Sequence, residues 1–166
     1  MLETRWKPSV TVAAIIERDG LYLLVEEMTS DGLKLNNPAG HLDPGEGLAE
    51  AAAREALEET ARPFVPEALV VVYMARLLRA ATGEDITYLR FAFCGRVGEA
   101  IAGQALDHPV VRTLWMSLDE LRANRARHRS PMVLQCIEDH HAGLRYPASL
   151  LSTDPTVAAL QVAPLP

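Results

Sequence analysis

At 166 residues the chain fits one domain, and 49% apolar residues are enough to build a sizeable core at that length. A 23% charged fraction with net charge −6 excludes a disordered or collagen-like chain, and 16 basic against 22 acidic residues argues against duplex DNA, so no nucleic-acid partner is expected. Two cysteines, Cys94 and Cys136, are too few for a disulfide framework; with no secretory h-region at the start and no run of about 18 apolar residues, a cytoplasmic protein without a membrane partner is expected.

In chain order, Val10 to Glu17 and Leu21 to Met28 flank the turn signal Asp19-Gly20 and read as a β-hairpin. Leu33 to Leu35 alternates briefly. Asn36 to Gly45 is a loop, with Pro44-Gly45 suited to a type II turn. Gly47 serves as N-cap and Glu50 falls at N3, opening a helix over Ala49–Thr60 that must stop before Pro63. Val65–Leu78 and Ile86–Val97 read as paired strands around a turn at residues 82–85. Residues 98–109 form a loop and Val110–Met116 another strand. Ser117 and Glu120 make a capping box for a short helix. Ser130-Pro131 caps a further helix reaching about His141. Residues 1–151 are expected to form the single domain, and 152–166 a loosely ordered tail. The order β-β-β-α-β-β-β-α-α implies a mixed α/β fold with helices layered on sheet.

The informative stretch runs from Gly40 to Arg62. At roughly 100° per residue, Glu55, Glu58 and Glu59 project within one arc of the helix, with Ala49, Ala53, Ala56 and Leu57 on the other side toward the sheet. Like charges at these spacings each destabilise a helix by about 0.2–0.5 kcal/mol. Arg54 reaches Glu58 and offsets part of the repulsion, and a divalent cation would meet the remainder. Hard carboxylate oxygens on a rigid helix suit Mg²⁺. A solvated acidic face is the alternative, and spacing alone leaves both open.

The pattern G-x5-E-x7-R-E-x-x-E-E, carried by Gly40, Glu46, Arg54, Glu55, Glu58 and Glu59, resembles the Nudix box. That family hydrolyses nucleoside diphosphates linked to another moiety. The resemblance implies an α/β/α sandwich with a mixed β-sheet and a loop-helix-loop catalytic segment. It implies Mg²⁺ or Mn²⁺ on Glu55, Glu58, Glu59 and the backbone carbonyl of Ala39. It assigns Arg54 to orienting the glutamates and Glu46 to supporting the loop. Glu55 is the first choice for general base, and Asp107 the second, with a turn role for Asp107 as the alternative. Where the box normally has glycine and then an aliphatic residue, Ala61 and Arg62 stand here. Alanine in a left-handed conformation costs roughly 1–2 kcal/mol, so the helix is expected to end differently, under control of Pro63, with Phe64 supplying the apolar contact.

Short segments spread over residues 7–150 look like the NudJ-type branch of Nudix phosphatases. They include Val25-Glu26-Glu27, Asn37 to Leu42, Leu89-Arg90-Phe91 and Arg129-Ser130-Pro131. That likeness implies hydrolysis of nucleoside di- and triphosphates, or of the diphosphate of the thiamine pyrimidine precursor. His41, beside the phosphate site, and Arg90, on a strand, are the substrate-binding candidates. Arg129 and Arg145 are further arginines for phosphate, with surface ion pairing as the alternative for each arginine. Tyr22, Tyr73, Tyr88 and Trp115 are either base-stacking or packing residues. His140-His141 lack cysteine partners at zinc spacing and read as exposed helix residues. A pyrophosphohydrolase of another nucleoside-diphosphate derivative and a non-catalytic nucleotide-binding module stay open; the intact carboxylate set favours the enzyme. Monomer and homodimer are both compatible with the sequence.

Overall fold

The computed structural model describes residues 5–80 and 82–159. Its strands are β1 (Ser9–Ile15), β2 (Glu17–Arg18), β3 (Leu21–Thr29), β4 (Gly32–Asn36), β5 (Ala39–His41), β6 (Phe64–Arg79), β7 (Glu84–Val97), β8 (Val110–Ser117) and β9 (Tyr146–Pro147). Its helices are α1 (Leu48–Thr60), α2 (Leu118–Ala123) and α3 (Met132–His141). A mixed five-stranded sheet runs in the order β5-β1-β7-β6-β9, with β1 and β7 parallel. A second sheet joins β2, β3 and β4, with β8 antiparallel to β3.

The alternating side chains of β1 divide the core into two layers. Val12 and Ala14 pack with Ala51, Ala52 and Ala56 of α1, whereas Ala13 and Ile15 pack with Leu121 of α2 and Val133 and Ile137 of α3. This is the expected α/β/α layering. Among the described residues no helix is long and apolar enough to cross a membrane.

The expected N-terminal hairpin survives only at its tip, where Glu17 pairs Tyr22 and Arg18 pairs Leu21. Val12 to Ile15 are all 0–1% exposed, as in a central strand covered on both faces. β5 and β7 occupy both edges of β1, so β3 has no edge to pair with and enters the second sheet.

Two helix ends also depart from expectation. α3 begins at Met132, preceded by Pro131, and the Ser130 side chain provides no cap; the Ser130 carbonyl accepts from Val133 instead. α1 ends as a glycine-bearing box would end it, with Ala61 left-handed at φ 53, ψ 28, and its N–H donating to the Leu57 carbonyl. The carbonyl of Ala61 also accepts from Ile101, so the 98–109 loop holds the strained residue in place. Phe64, 4% exposed, does supply the apolar contact. Ala61→Gly is therefore expected to raise stability by about 1 kcal/mol, read as a higher denaturant midpoint.

Residues 155–157 form a 3-10 turn capped by Asp154, and Thr153 and Val157 lie against the loop that opens α1. Residues 160–166 lie outside the described residues.

Candidate active site

The site is built where the loop after β5 turns into α1. Gly45 takes φ 91, as the type II turn requires, and Gly47 then caps the helix with Glu50 accepting from its N–H. The buried stripe of α1 is Ala51, Ala52, Ala56, Glu59 and Thr60, rotated by about one position from the expected stripe of Ala49, Ala53, Ala56 and Leu57. That rotation grades the three carboxylates. Glu58 keeps 43% of its side chain exposed and Glu55 14%, while Glu59 as a residue keeps 8%.

Arg54 organises this face. Its Nε and Nη2 grip both oxygens of Glu46 at 2.9 and 2.7 Å. Its Nη1 donates to Glu55 at 2.8 Å and to Glu58 at 3.1 Å, and Nη2 also reaches the His41 carbonyl at 3.0 Å. The guanidinium thereby fixes the loop and two helix carboxylates as one unit. Its hydrogen bonds hold Glu46 below the usual carboxylate range. Burial raises the Glu55 carboxyl, against the pull of Arg54.

Glu59 is served differently. Its Oε2 accepts from the Ala39 N–H at 2.9 Å, so the carboxylate and the backbone of β5 meet. Burial pushes its pKa up to about 8; the Ala39 N–H and Arg129 work against this, and the charges of Glu55 and Glu27 add to it. Gly40 is the point of closest approach: a Cβ there would fall 2.1 Å from the carboxyl carbon of Glu55. Gly40→Ala must therefore displace Glu55 and is expected to lower activity by about tenfold or more in steady-state assays, with little effect on α1 helicity by circular dichroism.

The other sequence candidates fall into place around this unit. His41, Thr11, Arg90 and Tyr73 stand in register across β5, β1, β7 and β6, on the sheet face opposite α1. His41 is exposed, whereas Arg90 is 9% exposed, and its Nε and Nη1, like the Thr11 hydroxyl, are buried without a hydrogen-bond partner among the described residues. The Asp107 N–H donates to the Glu58 carbonyl at 2.9 Å, and its carboxylate accepts from the next N–H, of His108. Trp115 lies under Arg18 and Arg62. His140 is buried, not exposed, between the Tyr22 hydroxyl at 3.1 Å and Arg145 at 2.7 Å, which engages that arginine. Both cysteines are buried and free.

Arg129, one of the arginines the sequence offered for phosphate, pairs with Glu27 at 2.7 Å; Glu27 is the partner that spacing within the helix had no means of finding. Glu27 comes from β3 and Arg129 from the segment before α3. A buried acidic pair in an otherwise apolar strand, Glu26-Glu27, was the available signal.

Among the described residues, no three acidic or imidazole groups stand as a formed metal shell. Glu55 and Glu58 turn toward Arg54, and Glu59 toward Ala39. The donor set is nonetheless hard oxygen from three carboxylates, with a high proton affinity at Glu59 that a cation would relieve.

The NUDIX domain family matches residues 6–136. Phosphatase NudJ of Escherichia coli K12 is 33% identical over 146 residues, covering 88% of this chain and 92% of that protein. Among solved structures, a NUDIX hydrolase from Nitrosomonas europaea has a TM-score of 0.82 at 51% identity, over 89% of this chain and 98% of its own. The MutT protein of Methanosarcina mazei Go1 shares the fold, with a TM-score of 0.64 at 24% identity, over 84% of this chain and 98% of its own.

Proposed function

The chain belongs to the Nudix family of phosphohydrolases, and from that premise we propose that it hydrolyses nucleoside di- or triphosphates, or related organic diphosphates, with Mg²⁺ or Mn²⁺ as cofactor. The thiamine pyrimidine precursor diphosphate is one member of that substrate class, by likeness to the NudJ-type enzymes. The observation that carries the reading is the Arg54 clamp, which holds Glu55 and Glu58 beside a nearly buried Glu59. Such crowding of carboxylates is unfavourable in the free protein and suits a bound cation.

Glu55, Glu58, Glu59 and the Ala39 carbonyl would hold the ion. When bound, it would supply charge neutralisation for the diphosphate and Lewis acidity toward the attacking water. The chain's own residues do the rest. Arg54 fixes the orientation of Glu55 and Glu58, so little reorganisation is needed when substrate arrives. Glu55, nearly buried and with a raised proton affinity, is the general base that takes the proton of the attacking water. His41, at the exposed end of its row, is the substrate-binding candidate nearer the loop that opens α1, whereas Arg90 lies buried on the sheet face opposite α1, toward Cys136.

The test is a panel of nucleotides and organic diphosphates with Mg²⁺ and product identification. Release of inorganic phosphate, or of pyrophosphate plus a monophosphate, supports the reading and identifies the bond cut. Tight nucleotide binding without any product contradicts it.

A further inference from the structure

Strand β6 runs on well past the strand that covers its outer edge. β9 pairs with it only at Ala68 and Leu69, and from Val71 to Arg79 that edge meets no strand among the described residues. On its inner side the same stretch pairs with β7 without a break, the register shifts lying upstream between Pro66 and Ala68 and between Leu69 and Val71. The stretch holds no proline, glycine or lysine and is rich in β-branched, aromatic and other apolar residues. A regular free edge of this kind is a template for another strand.

Val71 and Tyr73 pack into the layer of α2 and α3, so Val72, Met74, Arg76 and Leu78 stand on the other face. There Met74 is 75% and Leu78 68% exposed. Two arginines interrupt the apolar edge, and both are turned inward across the hairpin. Arg76 Nε donates to Asp85 at 2.7 Å, and Arg79 Nη1 to Glu84 at 3.3 Å. Both charges are thus compensated within one chain, and the edge does not repel its own likeness.

The order of residues along the edge selects a second copy of this chain as its partner. A two-fold axis normal to the sheet keeps each face with itself, so only residues of equal parity stand opposite one another. Antiparallel pairing centred on Ala75 uses the whole stretch from Val71 to Arg79 and stops short of the residues that β9 holds. Val72 then meets Leu78 of the second copy, Tyr73 meets Leu77, Met74 meets the stem of Arg76, and Ala75 meets Ala75. Centring on Arg76 would instead set two arginines face to face. Centring on Met74 would bring Leu69, already paired with Tyr146, opposite Arg79. We propose that the chain forms a two-fold dimer in which the β6 strands of two copies pair antiparallel about Ala75, joining their mixed sheets into one. β7 and β1 separate β6 from β5, so the interface lies away from the contact between Ala39 and Glu59.

Sedimentation of the full chain at about 100 µM tests the association. Wild type is expected to run as a dimer that dissociates on dilution. Met74→Lys and Leu78→Lys change side chains that are exposed in the single chain, and both are expected to run as monomers with an unchanged far-ultraviolet circular dichroism spectrum. Cysteine cross-linking tests the register, and the native Cys94 and Cys136 are both buried. Ala75→Cys sets two thiols opposite each other on Cα atoms about 4.5–5.5 Å apart, and is expected to give a covalent dimer under mild oxidation. Val72→Cys, whose two copies would lie about 20 Å apart along the strands, is expected to give none. A monomeric wild type, which would leave the edge to a strand of another protein, would overturn the proposal. So would a dimer kept by both lysine variants, or cross-linking of Val72→Cys in place of Ala75→Cys.

Discussion

Replacing Arg54 with alanine is expected to reduce turnover by about a hundredfold and to destabilise the fold by about 2–3 kcal/mol. The Arg54 side chain is only 27% exposed, and its guanidinium neutralises Glu46 and Glu55, whose side chains are 16% and 14% exposed. Its loss leaves two nearly buried carboxylates unpaired and Glu55 free to turn. Arg54→Lys should recover part of the stability and little of the activity, because an ammonium has no fork to span Glu46 and Nη1's two acceptors at once. Urea unfolding and kcat on the same preparations check both halves. A folded Arg54→Ala enzyme at wild-type kcat would remove Arg54 from the site.

Glu59→Gln is expected to cost at least about tenfold in turnover, since loss of a metal ligand should exceed the loss of a supporting partner. Glu58→Gln is expected to do likewise, with less effect on stability because Glu58 is more exposed. Glu59 also leaves a pH signature. Its folded pKa, about 8, lies above the ordinary 4.5, so between those values the folded state binds more protons than the unfolded chain. Stability of the metal-free protein must then fall as pH rises through that window, by a few kcal/mol in all. Buried His140 acts in the opposite sense lower down. Burial lowers its pKa from 6.5 to about 4, so its contribution is lost as pH falls below 6.5. The Glu59 effect is therefore cleanest between about pH 6.5 and 8. Denaturation in the presence of chelator should give a falling midpoint for wild type and a flat one for Glu59→Gln; parallel curves would show that Glu59 is ionised throughout.

Much of the site was legible because it is local. Gly40, Glu46, Arg54, Glu55, Glu58 and Glu59 lie within one loop and one helix, where spacing fixes direction; Arg54 meets Glu46, Glu55 and Glu58, while Glu59 turns toward Ala39. What escaped depended on distant chain. Glu59 is buried because it continues the stripe of Ala52 and Ala56 against the sheet, and one residue of rotation is beyond what periodicity resolves. The N-terminal hairpin failed because Asp19-Gly20 fixes a turn but not how far the strands remain paired; competition from β5 and β7 for β1 is non-local. Ala61 was expected to avoid the left-handed region on local cost, yet the hydrogen bond from Ile101, distant in the chain, holds it there. Arg129 was named from the sequence, but its partner Glu27, about a hundred residues away, was not, because the two become neighbours only once β3 and the segment before α3 are packed.

The most direct measurement is Mn²⁺ binding followed by electron paramagnetic resonance on wild type and on the Glu55→Gln/Glu59→Gln double variant, at pH 6.5 and 8. Wild type should bind the ion, more tightly at the higher pH as Glu59 gives up its proton, and the double variant should bind it at least about tenfold more weakly. Undiminished binding by the double variant, or none by wild type at either pH, would contradict a cation held by the α1 carboxylates.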